Sequence, residues 1–229
     1  MGLPQGHIKN KNMNADLFDG LPDHNLQQVC LDDGAFLLRG FAKNVDTALM
    51  SALKKVVAQA PFRHMITPGG FRMSVAMSNC GQVGWITDRS GYRYDVIDPE
   101  TGCPWPALPE TFIDMARRAA MRAGYENFLP DACLINCYEP GARLSLHQDM
   151  NERDKSAPIV SVSLGLPAVF LFGGSSRSVR PKRYQLVHGD VVVWGGPARF
   201  NFHGIAPLLE GYHPILGRKR INLTFRRAL

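Results

Sequence analysis

No apolar run in this 229-residue chain approaches the ~20 residues that a membrane-spanning helix needs. The opening segment, MGLPQGHIKNKNMNADLF, has no apolar signal core, and Gly6 stands where a myristoylation pattern beginning at Gly2 wants Ser or Thr. The five cysteines, Cys30, Cys80, Cys103, Cys133 and Cys137, are odd in number and include no C-x-x-C pair, which argues against a disulfide framework. Reduced thiols, a cytoplasmic location and no membrane association are therefore expected. Charged residues are only 20% of the chain against 45% hydrophobic, the balance of a globular protein rather than a disordered one. That charge leans one way: 26 Lys and Arg against 20 Asp and Glu give +6. Such a surplus favours a polyanionic partner or small acidic ligands, although a solvated basic surface accounts for it equally well on its own.

The length suits one domain of β-sandwich or β-barrel size. Residues 1–14 read as a flexible, unpatterned extension, and the ordered domain is expected over 15–229. GAFLLRGF (34–41) reads as a strand. Asn44 or Asp46 is a candidate cap for the helix that follows, where Leu49, Leu53, Val56 and Val57 recur at helical spacing up to Pro61. A second helix is predicted from Pro109 to Ala123, with Phe112, Met115, Ala119 and Ala120 as its apolar stripe and Gly124 as its stop. Between the helices, 61–105 is rich in Gly, Pro and aromatics and reads as a hairpin and a long loop forming a lid. From Asp131 onward, ACLINCY, RLSLHQD, IVSVSLG, AVFLFGG, RYQLVHG, DVVVWGG, RFNFHGI and RINLTFRR follow one another with Gly or Pro breaks. This pattern predicts a mainly β fold, an antiparallel jelly roll over 131–229 buttressed by the two N-terminal helices.

Inside that strand-rich half, His147 and Asp149 stand two apart, so on a strand both leave the same face and can share a metal ion. His203, on a later strand, would complete a set of two histidines and one carboxylate, the ligands of a non-haem iron(II) site with open positions. Zinc accepts the same atoms, so ligand type alone leaves the metal open. A second H-x-D, His188-Gly189-Asp190, reads instead as a surface histidine and a turn aspartate before the apolar VVVW. RINLTFRR alternates so that Arg220, Asn222, Thr224 and Arg226 share one face. Inward-facing arginines are costly unless they meet an anion, and 2-oxoglutarate offers two carboxylates to guanidinium forks. An edge strand showing its charges to water is the plainer alternative for that strand taken alone. Asn136 and Tyr138, two apart in LINCY, are candidates for the same pocket.

LSLHQD, SVSLGLPAVFLFGG, HGDVVVWGG, FHGI and RINLTFR, with TPGG, MSVAM, NCG, GW, GY and PDACLIN upstream, resemble the AlkB family of oxidative DNA-dealkylating enzymes from about residue 15 to the C-terminus. The resemblance implies a double-stranded β-helix with a substrate-recognition lid, and iron(II), 2-oxoglutarate and O2 as cofactor and cosubstrates. It makes His147, Asp149 and His203 the iron ligands. Arg220 would hold the distal carboxylate of 2-oxoglutarate with Asn136, Tyr138 and Asn222 nearby, and Arg226 would lie against the carboxylate that chelates iron. Implied substrates are 1-methyladenine and 3-methylcytosine in single-stranded DNA, with double-stranded DNA and RNA also in range, releasing formaldehyde, succinate and CO2. A base must leave its stack to react, and Trp85 and Tyr92 correspond to the family's base-binding aromatics. Thr67, Met73, Tyr94, Arg143 and Ser145 would lie near the substrate strand, and Arg177 at a phosphate or the pocket wall. Met150 and Asn151 depart from the family's commoner lysine and aspartate, which leaves base preference open.

Two rival readings remain. A 2-oxoglutarate oxygenase acting on a protein or metabolite would share the fold and iron site. A non-catalytic jelly-roll module would need no dicarboxylate clamp. A monomer is the default expectation for oligomeric state.

Overall fold

The computed structural model describes residues 27–229. The extension predicted over 1–14, and the expected start of order near Ala15, lie outside the described residues. Thirteen strands and two α-helices follow in chain order: β1 (Gln28–Asp32), β2 (Ala35–Leu38), α1 (Asp46–Gln59), β3 (Ala76–Gly81), β4 (Gly84–Asp88), β5 (Gly91–Asp95), α2 (Glu110–Arg122), β6 (Ala132–Tyr138), β7 (Leu144–His147), β8 (Ile159–Gly165), β9 (Ala168–Phe172), β10 (Lys182–Leu186), β11 (Val191–Trp194), β12 (His203–Ile205) and β13 (Arg220–Arg226). No described helix is long and apolar enough to cross a membrane.

The strands form an antiparallel sandwich. Its larger sheet runs β1-β2-β11-β8-β13-β6-β3, its smaller one β10-β9-β12-β7, and β4 and β5 make a separate hairpin. Alternation decides what each face meets. Leu223, Ile135, Val162 and Val193 point away from the smaller sheet and pack with Leu49, Leu53, Phe112 and Met115 of the two helices. Leu134, Ile159, Val192 and Trp194 point the other way and meet Phe170, Phe172 and Ile205 of the smaller sheet. The larger sheet is therefore covered on both faces, which is why VVVW holds no polar residue and IVSVSLG breaks its apolar residues only with the small Ser161 and Ser163.

All eight strands predicted after Asp131 form, and both helices lie within a residue or two of their predicted ends. Three details differ. Neither Asn44 nor Asp46 caps α1: its N-cap is Val45 with no side-chain bond, and Lys43–Val45 form a 3-10 turn before it. Asp46 instead accepts from the Thr47 hydroxyl and pairs with His188 at 2.9 Å. The 61–105 region is not one covering segment, because β3 pairs with β6 along its whole length as an edge of the larger sheet. What stands outside that sheet is the turn at Thr67–Phe71 and the β4–β5 hairpin. His188 is not a free surface histidine either. Its Nδ1 accepts from the Gly165 amide and its Nε2 meets Asp46, while Asp190 is buried against Arg39 and the amides of Gly40 and Val187.

Candidate active site

β7 and β12 pair so that His147 and His203 are direct cross-strand partners, with ring centroids 4.4 Å apart. Close pairing needs Gly204, since a Cβ there would stand 2.6 Å from the Leu144 carbonyl oxygen on β7. Asp149 lies two residues past the end of β7, not on the strand as predicted, yet it comes to the same point. Its Oδ1 is 3.6 Å from His147 Nε2 and its Oδ2 3.8 Å from His203 Nε2. One ligand atom from each of the three residues lies within 4.8 Å of the others, the only such His/Cys/Asp/Glu group among the described residues.

The imidazoles are set for metal by their other nitrogens. His147 Nδ1 donates to the Ser145 carbonyl at 2.9 Å and His203 Nδ1 to the Asn201 carbonyl at 3.0 Å, which leaves both Nε2 lone pairs facing Asp149. Burial, and then the neighbouring His147, press the His203 pKa down to about 4, so the ring is neutral at ordinary pH. Burial works against ionisation of Asp149, but Arg226, ahead of the two histidines, holds its carboxyl well below the usual carboxylate range. Arg226 Nη2 and Nε reach Asp149 Oδ2 at 2.7 and 3.1 Å.

The even-numbered residues of β13 enter the sandwich beside this triad. Arg220 is 1% exposed and gives one hydrogen bond, from Nη2 to Ser163 Oγ; its Nε and Nη1 have no partner among the described residues. Its guanidinium lies over the Tyr138 ring at 4.9 Å, and burial lowers its pKa. The Tyr138 hydroxyl and Asn136 Oδ1 are likewise buried without partners, while Asn136 Nδ2 meets Asn222 Oδ1 at 3.2 Å. A buried cation with idle donors beside an idle hydroxyl is costly unless an anion completes it. A carboxylate fits this set, and so a dicarboxylate with its other end toward the triad suits the site.

At the rim, Trp85 on β4 stacks on Tyr92 on β5, with centroids 5.7 Å apart and planes 22° from parallel. Asn79 of β3 holds the Trp85 backbone through two hydrogen bonds of 3.0 Å, and Trp85 Nε1 donates to Asn151 Oδ1 at 3.1 Å. Tyr92 is 48% exposed. Thr67 Oγ1 accepts from the Phe71 amide and closes its turn, Met73 packs on the inter-sheet core, and Ser74 Oγ bonds the Arg143 backbone. Arg143, just before β7, and Ser145 on it are exposed. Arg177 bonds the Leu146 carbonyl at 2.9 Å and lies over Phe202. Tyr94 reaches inward from the rim hairpin: its hydroxyl donates to Glu152 at 2.7 Å, and burial raises its pKa well above the ordinary value. A cleft of about 470 Å³ lies on this side, lined by Tyr92, Tyr94, Asn151 and Arg153 but by none of the triad.

Sequence reasoning missed Glu152, 3% exposed, which receives Arg199 at 3.0 Å and Arg226 at 3.3 Å, and Trp194, whose ring lies 4.9 Å from that of His203. The available signal for Glu152 was an acid three residues after a metal-ligand aspartate; for Trp194 there was none beyond its apolar run.

A jelly roll that brings two histidines, a carboxylate and an inward arginine strand together defines a non-haem iron oxygenase of the 2-oxoglutarate-dependent class. Residues 34–226 match the 2OG-Fe(II) oxygenase superfamily. The chain belongs to that superfamily and, within it, to the AlkB family: it is 56% identical over 212 residues to the alpha-ketoglutarate-dependent dioxygenase AlkB of Escherichia coli (strain K12), covering 93% of this chain and 98% of that protein. It is also 44% identical to the AlkB homolog of Caulobacter vibrioides (strain NA1000 / CB15N), over 79% of this chain and 81% of that protein. Among solved structures, OsALKBH1 superposes with a TM-score of 0.77 at 28% identity, covering 88% of this chain and all of that one. The chain is thus an iron(II)- and 2-oxoglutarate-dependent dioxygenase.

Proposed function

We propose that this enzyme removes N-linked alkyl groups, such as those of 1-methyladenine and 3-methylcytosine, from bases in single-stranded DNA, with double-stranded DNA and RNA as further substrates. The observation that carries the reading is the stacked Trp85–Tyr92 pair, fixed through Asn151 only two residues from Asp149. A flipped base needs an aromatic wall at the metal, and a protein or metabolite oxygenase does not. Names of similar proteins point the same way: a tRNA demethylase of Schizosaccharomyces pombe is 30% identical over 63% of this chain.

In this reading His147, Asp149 and His203 hold iron through Nε2 and carboxylate oxygens. Arg220, with Tyr138, Asn136 and Asn222, grips the far carboxylate of 2-oxoglutarate, and Arg226, which keeps Asp149 ionised, would also lie against the 2-oxoglutarate carboxylate that chelates iron. Iron with 2-oxoglutarate and dioxygen supplies the oxidation that hydroxylates the N-alkyl carbon, after which formaldehyde leaves. Trp85 and Tyr92 hold the base, Thr67, Met73, Arg143, Ser145 and Arg177 flank its strand, and the Thr67–Phe71 turn with the β4–β5 hairpin forms the lid. One catalytic domain over 15–229, acting as a cytoplasmic monomer, accounts for what is described.

The test measures formaldehyde and succinate together with a single-stranded oligonucleotide carrying one 1-methyladenine. Both should appear in equal amounts, and Trp85→Ala should lower turnover by about tenfold or more, as loss of one base–aromatic contact predicts. Succinate without formaldehyde from any methylated oligonucleotide would hand the site to a protein or metabolite substrate.

A further inference from the structure

We propose that Asp32, on the edge strand β1 and outside the metal site, is a positioning residue for His203 and acts through the side chain of Asn201. The proposal rests on the reading of His203 as a metal ligand and names what aims it. His203 Nδ1 donates to the Asn201 carbonyl at 3.0 Å, so the direction of that carbonyl sets the plane of the ring and the line along which Nε2 points. Asn201 lies in the irregular run between the 3-10 turn at Gly196–Ala198 and β12, and three bonds hold it there. Its own amide donates to the Ala198 carbonyl at 2.9 Å, and the Phe202 amide, on the same peptide as the carbonyl, donates to Gly174 at 3.0 Å. The third bond is made by side chains: Asn201 Nδ2 donates to Asp32 Oδ2 at 2.8 Å. A carboxylate can only accept, which fixes the nitrogen side of the Asn201 amide toward Asp32.

The surroundings give that third bond its leverage. Asn201 is 4% exposed, so its amide has little water to turn to when Asp32 is lost. Asp32 is exposed yet anchored, since its Oδ1 accepts from the Asp33 amide at 2.9 Å. The β1–β2 turn just beyond it is seated on the same run that leads to His203. The Gly195 amide donates to the Gly34 carbonyl at 3.0 Å, and a Cβ on Gly34 would stand 2.5 Å from the Gly195 carbonyl oxygen. On its other side the run meets the first two ligands. Gln148 Nε2 donates to the Phe200 carbonyl at 2.6 Å, and Arg199 Nη1 donates to the Asp149 carbonyl at 2.9 Å. Residues 199–201 are therefore held between the loop that carries Asp149 and the N-terminal hairpin. The bond from Asn201 to Asp32 is the link on the hairpin side that a substitution can remove without touching a ligand.

Anaerobic titration of the metal-free enzyme with Co(II), followed by the visible absorption of the bound ion, provides the test. It is run on the wild type, Asp32→Ala, Asp32→Asn, Asn201→Ala, the double alanine variant and His203→Ala. Asp32→Ala should weaken Co(II) binding by about tenfold, the lower end of what disturbing a histidine's outer hydrogen bond costs, and should alter the absorption band. Its half-saturating 2-oxoglutarate concentration at saturating metal should not change. The metal-free Asp32→Ala protein should melt within about 4 °C of the wild type, as loss of a single hydrogen bond predicts. Asp32→Asn keeps an acceptor for Asn201 Nδ2 and should bind Co(II) as the wild type does. The double variant should lose no more than Asn201→Ala alone, since both residues act through one bond. Unchanged Co(II) affinity in Asp32→Ala would overturn the proposal, as would equal losses in Asp32→Asn and Asp32→Ala or full additivity in the double variant. Co(II) binding that survives His203→Ala intact would remove the ligand reading and the proposal with it, a result distinct from any change at Asp32.

Discussion

At the scale of single residues, the site is a set of side chains whose second contacts decide what their first atoms can do. His147 and His203 each spend Nδ1 on a backbone carbonyl, so Nε2 has nothing to bind except what sits beside Asp149. His147→Ala, Asp149→Ala and His203→Ala should each abolish turnover in a protein that remains folded, because two ligands hold iron poorly and misplace its open positions. Circular dichroism and metal analysis of each variant check this, and iron-dependent activity near normal in any one would dissolve the triad. His188→Ala is the contrast. It should keep its activity and lose about 1 kcal/mol of stability with the Asp46 and Gly165 bonds. Arg220 invites a sharper measurement. Because two of its donors lack protein partners, Arg220→Ala should raise the half-saturating 2-oxoglutarate concentration far more than that of the oligonucleotide. Deleting one partner of a buried charge pair costs about 2–5 kcal/mol. Separate titrations decide it, and an unchanged 2-oxoglutarate dependence would assign the arginine another task.

Residues such as these were legible because their types are rare in their settings: two arginines on one face of an otherwise sheet-forming strand, or a histidine and an aspartate two apart. Glu152 was not legible. Its partners Tyr94, Arg199 and Arg226 are 58, 47 and 74 positions away, and no local pattern announces a long-range ion network. The reading of His188 as a free surface residue failed for the same reason, since Asp46 is 142 positions distant.

At the scale of elements, period-two alternation and Gly or Pro breaks sufficed to find β6 to β13, whose identity is written in local sequence. β3 was absorbed into a lid because its neighbourhood looks irregular, and only its full-length pairing with β6 makes it a strand of the larger sheet. Asp46 failed as a cap since a 3-10 turn already leads into α1. The same network that sequence could not show ties three elements together. Tyr94 on β5, Glu152 in the loop after β7 and Arg226 on β13 connect the rim hairpin to Asp149 through successive contacts of 2.7, 3.3 and 2.7 Å. Glu152→Gln leaves Arg199 and Arg226 buried with less counter-charge and should cost about 3 kcal/mol, whereas Tyr94→Phe deletes one hydrogen bond and should cost about 1 kcal/mol. Urea midpoints at constant m-value measure both. A loss in Glu152→Gln no larger than that of an ordinary surface substitution, about 0.5 kcal/mol, would mean the hairpin and β13 stand independently.

At the scale of the whole molecule, the +6 charge becomes meaningful only once the site is located. Composition alone could not separate a nucleic-acid surface from a merely solvated one. Arg143 and Arg177, both exposed, both flank β7, the first just before the strand and the second bonded to its Leu146 carbonyl, so two cations stand beside the strand that ends in His147. If they neutralise phosphates of a bound single strand, each releases condensed counter-ions, and the logarithm of affinity should fall with the logarithm of salt concentration by about 0.7 per contact. Arg143→Ala should therefore weaken binding of methylated and unmethylated oligonucleotides alike and make the salt slope shallower by about 0.7. Arg177→Ala should change the slope less than its charge suggests, because its guanidinium is already occupied by a carbonyl and by the Phe202 ring. Fluorescence anisotropy across a salt series, with iron present and oxygen excluded, supplies both slopes. Should Arg143→Ala leave the slope unaltered while lowering affinity for the methylated strand alone, that arginine would be reading the base and not the backbone, and the path of the strand along β7 would have to be redrawn.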